Sequence, residues 1–136
     1  MNKILIDTNV FIDHLRGYEP ASDFLVKASQ GYFSIMISTI TEMELYAGTR
    51  LTDSEIKKID ELLSYYVKLN VNSAISKTAG ELLRFYRNQG LSPIDALIAS
   101  SALDTGSILV TNNIKHFQNI EKLLTLQPYP TEYRAR

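Results

Sequence analysis

Short apolar runs alternate with helical segments along almost the whole of this 136-residue chain. Runs rich in Ile, Leu, Val, Tyr and Phe predict strands at residues 3–6, 32–37, 66–69 and 108–110, and a fifth strand is predicted at 123–126. The segments between them predict helices at 9–16, 20–30, 52–63, 73–89 and 93–105, and a further helix that begins near residue 39.

Start and stop signals bound several of these helices. Thr52 and Glu55 form the pattern of a capping box, in which each side chain accepts a backbone N–H of the other residue. Ser92 and Pro93 are typical of an N-cap and a first helical position, and Gly106 is typical of the residue after a helix. Strands separated by helices favour an α/β fold, with a mostly parallel sheet of four to five strands covered by helices on both faces.

Composition narrows the class of protein. The chain is 45% hydrophobic and has no linker or repeat, so residues 1–136 are predicted to form a single domain with a loosely ordered tail at 128–136. Fourteen basic and fifteen acidic residues give a net charge of -1, which excludes a strongly basic surface but not a local basic patch. The absence of cysteine, of a signal-peptide pattern and of a long apolar run favours a cytoplasmic protein with no membrane segment.

Three acidic residues lie where stability alone gives little reason for a charge. Asp7 directly follows the first strand, Glu44 lies just inside the helix after the second strand, and Asp95 lies in the first turn of a later helix. Sites in open α/β sheets form beyond the carboxyl ends of the strands, so we expect these carboxylates to converge there, together with Asn113. Capping by Asp7 and a helix-dipole role for Asp95 are the structural alternatives.

Converging carboxylates repel one another and need a cation if all of them stay ionised. Mg²⁺ or Mn²⁺ suits oxygen ligands and keeps waters or phosphate oxygens in its coordination shell, as phosphoryl transfer requires. We therefore predict a metal site in which the ion activates a water for attack on a phosphate. His14 and His116 lie in dissimilar sequence contexts and receive no role.

Four segments resemble the ordered motifs of PIN domains, specifically those of VapC-type toxins. They are residues 4–9 (ILIDTN), 37–48 (ISTITEMELYAG), 94–99 (IDALIA) and 109–113 (LVTNN). The resemblance implies a PIN-like three-layer α/β/α sandwich and a metal-dependent endoribonuclease that acts as the toxin of a toxin-antitoxin pair. It also implies a homodimer that a cognate antitoxin holds inactive.

The resemblance assigns the family's three acids to Asp7, Glu44 and Asp95, which would be catalytic residues and metal ligands. Asn113 falls on the fourth motif as a further catalytic residue. Asn9 resembles the polar residue that orients the first acid or a metal-bound water, and Thr111 would support the fourth motif.

Glu42 competes with Glu44 for the second acidic position. The family acid is typically followed by Leu and then by Gly three positions later, which matches Leu45 and Gly48 after Glu44. Residues two apart on a helix point in different directions, so we expect Glu42 to be solvated rather than to share the site.

Two positions depart from many members of the family. Asn113 stands where an aspartate is common, and His116 stands where an acid precedes the residue equivalent to Phe117. An amide supplies an uncharged carbonyl oxygen, so a second metal site would be weak and we expect one tightly bound ion.

Basic residues are harder to interpret. Lys77, Arg84 and Arg87 lie on the outer face of the predicted helix 73–89, where a contact with an RNA backbone is possible. We favour the ordinary alternative, a solvated charged face of an amphipathic helix.

Three hypotheses for function follow. The leading one is a metal-dependent endoribonuclease that leaves 5′-phosphate and 3′-hydroxyl ends. The second is a phosphotransferase or phosphatase with Asp7 as nucleophile, but the haloacid dehalogenase pattern requires an acid where Asn9 stands. The third is a catalytically silent PIN-like module that binds RNA or protein.

Overall fold

The structure, a computed structural model that describes residues 2–131, is organised around a five-strand sheet. Its strands are β1 (Asn2–Ile6), β2 (Phe33–Ser38), β3 (Val67–Leu69), β4 (Ile108–Val110) and β5 (Thr125–Leu126). They lie in the order β3-β2-β1-β4-β5, and every neighbouring pair is parallel. The predicted α/β fold with a mostly parallel sheet of four to five strands is confirmed.

Helices cover both faces of the sheet. In the described part of the chain they are α1 (Thr8–Leu15), α2 (Glu19–Ala28), α3 (Thr39–Tyr46), α4 (Asp53–Ser64), α5 (Ser73–Tyr86), α6 (Pro93–Thr105) and α7 (Ile114–Phe117), with a 3-10 turn at Arg87–Gln89. None of these helices has the length and the hydropathy that crossing a lipid bilayer would require.

Strand β1 lies at the centre of the sheet and supplies both hydrophobic cores. Ile4 and Ile6 face the core that contains residues of α1, α2 and α4, whereas Leu5 faces the core that contains residues of α5 and α6. Side chains alternate between faces along a strand, so a strand buried on both faces must be apolar throughout, as residues 4–6 are. This explains why the first apolar run is continuous rather than alternating.

The local signals for helix ends are confirmed. Thr52 and Glu55 form the predicted capping box of α4. Ser92 Oγ accepts the backbone N–H of Asp95 at 3.1 Å and so caps α6. Gly106 ends α6 in the left-handed conformation, with φ of 65°, which a residue without a Cβ adopts at little cost.

The main differences from prediction lie near the carboxyl end of the chain. Helix α7 was not predicted, because four residues are too few to show helical periodicity. The fifth strand has only two residues, and the long helix predicted to reach residue 89 ends as an α-helix at Tyr86. Parallel pairing with β4 defines the short fifth strand, and pairing between distant segments is not visible in local sequence.

The tail predicted to be loose is anchored at Tyr129. This side chain is only 6% exposed, and its hydroxyl donates to Asp13 Oδ2 at 2.6 Å. Its ring also packs against Tyr18, with centroids 5.6 Å apart. Tyrosine can bury its ring while its hydroxyl keeps a polar partner, so Tyr129 ties the segment to α1. The hydroxyl of Tyr18 also donates to the carbonyl of Pro130 at 3.5 Å. Residues 132–136 of the predicted tail lie outside the described residues.

We predict that Leu5→Ala lowers the free energy of unfolding by about 3 kcal/mol, because it leaves a cavity beneath α5 and α6. Leu5 is fully buried, so its lost contacts cannot be replaced by water. Urea denaturation of the purified protein would measure the change.

The matched control for this prediction is Leu124→Ala. The Leu124 side chain is 66% exposed, and its contribution to the sheet is a backbone carbonyl that the substitution retains. A change below about 0.5 kcal/mol is expected for this surface position. Equal losses in the two variants would contradict the placement of β1 at the centre of the core.

Candidate active site

Asp7 lies at the junction between β1 and α1 and is only 7% exposed. Its backbone N–H donates to the carbonyl of Val110 at 2.9 Å, which extends the pairing of β1 with β4 by one residue. Its Oδ1 accepts the backbone N–H of Thr8 at 2.8 Å, so Asp7 is also the N-cap of α1. The capping alternative is therefore correct, and the cap lies at the carboxyl edge of the sheet.

Thr111 orients the carboxylate of Asp7 from the neighbouring strand end. It is fully buried just after β4, and its hydroxyl donates to Asp7 Oδ2 at 2.8 Å. The same oxygen of Thr111 accepts the backbone N–H of Asn113 at 3.0 Å. The loop that follows β4 is thereby tied to the junction that follows β1.

Asn9 makes a second connection between these two segments. Its Nδ2 donates to Asp7 Oδ2 at 3.1 Å and lies 3.3 Å from Thr111 Oγ1, while its Oδ1 accepts the backbone N–H of Asn112 at 3.1 Å. Both ends of the amide have partners of the matching kind, which defines its orientation. The contact with Asp7 is the one expected of a residue that orients the first acid.

Glu44 reaches this edge from α3. Its Oε1 accepts a hydrogen bond of 2.6 Å from the hydroxyl of Thr8, the residue next to Asp7. Glu42, two residues earlier, is directed elsewhere, and its Oε2 lies 3.1 Å from the ammonium of Lys68. The expected separation of the two glutamates is present, but Glu42 is ion-paired with β3 rather than simply solvated.

Asp95 lies in the first turn of α6, where the helix dipole favours a negative charge. Its Oδ2 is 3.2 Å from Nδ1 of His116, a residue of α7. No role for His116 could be predicted from its sequence context, because the contact depends on the position of α7, which was not predicted. Asp95 thus has a neighbouring imidazole in place of a lysine or arginine.

Asn113 is the most exposed of the four predicted catalytic residues. It precedes α7, and its side chain does not cap that helix. Its neighbour Asn112 is more buried, with Nδ2 3.5 Å from Asp13 Oδ2 and with a buried Oδ1 that has no hydrogen-bond partner within residues 2–131. The structure therefore holds Asn113 near Asp7 through its backbone.

The charges of Glu44 and Asp95 influence the ionisation of Asp7. Burial raises the pKa of Asp7 above its usual value, and the charges of Glu44 and Asp95 raise this pKa further. Hydrogen bonds from Thr111 and Thr8 act in the opposite direction. Since like charges disfavour ionisation only when they are near, the three carboxylates occupy one electrostatic environment. Within residues 2–131, none of them forms an ion pair with a lysine or arginine.

The donor chemistry at this edge fits a hard divalent cation. Across residues 2–131, no three acidic or histidine side chains form a group that could hold a metal ion between them. Mg²⁺ does not require such a cage, because it commonly uses one or two carboxylates and completes its shell with waters and substrate phosphate oxygens. Asp7 with Glu44 or Asp95 supplies that number of charged ligands, and a cation would relieve their repulsion.

The hydroxyls of Thr8 and Thr41 were not identified from sequence. They lie 2.9 Å apart, and Thr8 also contacts Glu44. A threonine beside an acid is common in turns and helix caps, so neither position carries a distinctive signal. For His116, the only signal was its place before Phe117, where many family members have an acid.

Comparison with known proteins finds a family match over most of the chain. A family model described as PIN domain matches residues 4–123. Ribonuclease VapC19 of Mycobacterium tuberculosis is 35% identical over 115 residues, an alignment that covers 83% of this chain and 90% of the relative. The tRNA(fMet)-specific endonuclease VapC of Shigella flexneri is 28% identical over 130 residues, covering 92% of this chain and 97% of the relative.

A solved structure has the same fold. One chain of a toxin-antitoxin complex from Klebsiella pneumoniae matches with a TM-score of 0.78 and 27% sequence identity. The match covers 94% of this chain and 99% of that chain. The arrangement of strands and helices described above is therefore shared over almost the whole length of both chains.

We predict that Asp7→Asn stabilises the metal-free protein at pH 7. The pKa of Asp7 is raised in the folded protein. The stability that its protonated form contributes is therefore lost as the pH rises through this pKa. Asparagine cannot ionise and so avoids this loss, although its Nδ2 cannot accept the hydrogen bond that Asp7 Oδ2 accepts from Asn9. We expect a melting temperature about 3 °C higher at pH 7 in the presence of chelator, with the difference shrinking towards pH 4.

Asp104→Asn serves as the control, because Asp104 is an exposed carboxylate at the far end of α6. This variant should melt within about 1 °C of the wild type at both pH values. A melting temperature for Asp7→Asn below that of the wild type at pH 7 would show that the carboxylate contributes more through its hydrogen bonds than its burial costs.

Proposed function

Because the chain belongs to the PIN-domain family, we propose that it is a metal-dependent endoribonuclease of the VapC type. In this proposal its substrate is RNA, it requires Mg²⁺ or Mn²⁺, and it is the toxin of a toxin-antitoxin pair that acts in the cytoplasm. The names of the Mycobacterium and Shigella relatives support the nuclease activity. The Klebsiella toxin-antitoxin complex supports an antitoxin partner, and the resemblance to VapC toxins leads us to expect a homodimer.

The observation that carries the proposal is the buried carboxylate of Asp7 beside two further acids. A buried charge is costly without compensation, and here the neighbouring charges have the same sign. Capping of α1 explains why an acid stands at position 7, but it does not explain the two further acids beside it, and a cation would offset the repulsion among the three. The three acids also lie at the carboxyl edge of a parallel sheet, which is where open α/β folds bind their ligands.

Each residue of the site would have its own role in binding the metal. Asp7 would hold the metal, with its carboxylate kept in one orientation by Thr111 and Asn9. Glu44 and Asp95 would complete the negative charge around the ion. A bound Mg²⁺ or Mn²⁺ would supply positive charge to the scissile phosphate and lower the pKa of an adjacent water.

An open cleft beside Glu44 offers a path for RNA. It has a volume of about 340 Å³ and is lined by apolar residues of α1, α3 and α4, by the basic side chains of Arg16 and Lys58, and by the acids Glu44 and Glu55. Positive side chains near a phosphate backbone provide attraction without sequence preference. Unpaired bases suit such a cleft better than a duplex does, since single-stranded bases can leave their stack.

The second hypothesis, a phosphotransferase or phosphatase with Asp7 as nucleophile, receives no support from the site. A phosphotransferase that uses Asp7 as a nucleophile needs an unhindered carboxylate and an acid in place of Asn9. Here both oxygens of Asp7 accept hydrogen bonds, and Asn9 is one of the donors. The catalytically silent module remains an outcome of the activity test.

We predict that the purified protein, freed of any partner, cleaves RNA in Mg²⁺ or Mn²⁺ and not in chelator. Asp7→Asn, Glu44→Gln and Asp95→Asn should each lower the rate by about 100-fold, because each weakens the negative charge that surrounds the cation. The assay would follow end-labelled RNAs on gels and include tRNA(fMet), the substrate in the name of the Shigella relative.

Glu42→Gln is the matched control, since it makes the same chemical change on the same helix but at the ion pair with Lys68. Its rate should stay within about twofold of the wild type, because an exposed ion pair contributes little. Cleavage that persists in chelator, or in all three acid variants, would refute the metal-dependent mechanism. Inactivity of the wild type on every RNA would favour the silent module.

A further inference from the structure

We infer that Thr8 is a positioning residue that holds Asp7 and Glu44 in a set arrangement, and that Thr41 fixes the direction of the Thr8 hydroxyl. The inference rests on the proposed function, because it treats the two acids as metal ligands. Thr8 and Thr41 are therefore positioning residues, and neither is proposed to contact RNA or the cation directly.

One residue contacts both acids through different groups. The backbone N–H of Thr8 donates to Asp7 Oδ1 at 2.8 Å, and its hydroxyl donates to Glu44 Oε1 at 2.6 Å. Asp7 follows β1 and Glu44 belongs to α3, so their carboxylates are separated by 37 positions in sequence but by a single residue in hydrogen bonds. The separation of the two carboxylates thus depends on the position of Thr8.

The direction of each hydrogen bond follows from the chemistry of its partners. An ionised carboxylate only accepts, so the one hydroxyl proton of Thr8 must be directed to Glu44. Thr8 Oγ1 is then the acceptor for Thr41, whose hydroxyl lies 2.9 Å away. The result is a chain of donors from Thr41 to Thr8 to Glu44.

Thr41 and Glu44 lie three positions apart on α3, so both face α1 from the same side of their helix. Both side chains hydrogen-bond Thr8 Oγ1, so the position of this hydroxyl satisfies two partners at once. Both threonines are buried, at 4% and 0% exposure, where an unpaired hydroxyl would be unfavourable.

The chain of donors from Thr41 through Thr8 to Glu44 forms a relay of hydrogen bonds. This relay affects cation binding because the glutamate side chain has three rotatable bonds. Without a partner, Glu44 would populate several rotamers, and binding a cation would have to select one of them. The hydroxyl of Thr8 makes that selection before the cation arrives. Residues that orient ligands from behind typically change metal affinity by 10- to 100-fold when they are removed.

The test compares Mn²⁺ affinity of the purified RNA-free protein, measured by electron paramagnetic resonance of the free ion, for the wild type, Thr8→Val and Thr8→Ser. Valine keeps the shape of threonine and removes its hydroxyl, so Thr8→Val should weaken Mn²⁺ binding by about 10-fold. Serine keeps the hydroxyl, and Thr8→Ser should remain within about threefold of the wild type.

Thr41 provides a second, independent check. Thr41→Val should weaken Mn²⁺ binding by about threefold, because its effect passes through Thr8. The double variant Thr8→Val/Thr41→Val should bind no more weakly than Thr8→Val alone, since the relay is already broken. Losses that multiply in the double variant would overturn the relay.

Thr105→Val controls for the loss of a threonine hydroxyl bond elsewhere, because Thr105 bonds within the carboxyl end of α6. It should not alter Mn²⁺ affinity, and circular dichroism would establish that every variant is folded at the temperature of measurement. Unchanged affinity in folded Thr8→Val, with the wild type binding Mn²⁺, would overturn the inference while leaving the proposed function intact. A wild type that binds no Mn²⁺ would overturn both.

Discussion

The parallel pairing of β1 with both β2 and β4 is the constraint on which the site depends. Parallel strands end at the same edge, so the residues that follow β1, β2 and β4 are brought together whatever their distance in sequence. The bond from the Asp7 N–H to Val110 extends this pairing to the first acid. Burial of β1 on both faces makes the register rigid, because a shift by one residue would exchange its two hydrophobic faces.

Around this edge, polar contacts of short range replace the lysine or arginine that a buried carboxylate would otherwise require. Asp7 accepts hydrogen bonds from three neighbouring residues, yet burial and the charges of Glu44 and Asp95 still raise its pKa. Ionisation of a group with a raised pKa costs stability at a pH above that pKa. Sites that bind a ligand commonly retain a cost of this kind, because the ligand supplies the missing interaction.

Most of the fold could be predicted because its signals are local. The capping box at Thr52, the N-cap at Ser92 and the apolar runs of the strands each involve residues close in sequence. Helix α7 and the anchoring of Tyr129 escaped prediction because neither has such a signal. Helix α7 has only four residues, too few to show a helical period, and it packs against α6 and β5. The partner of Tyr129 is Asp13, more than a hundred residues away, and no short pattern records such a partner.

Reading the sequence was enough to predict the order of the elements apart from α7, the choice of Asp7, Glu44 and Asp95 as candidate ligands, and the likeness to PIN domains. These depend on residue type and spacing, which the chain displays directly. Three contacts became visible only in the folded chain: Thr8 connects two of these acids, His116 lies against Asp95, and Glu42 pairs with Lys68. A hydrogen bond or ion pair requires atoms within about 3 Å, and only the packed fold brings such distant residues that close.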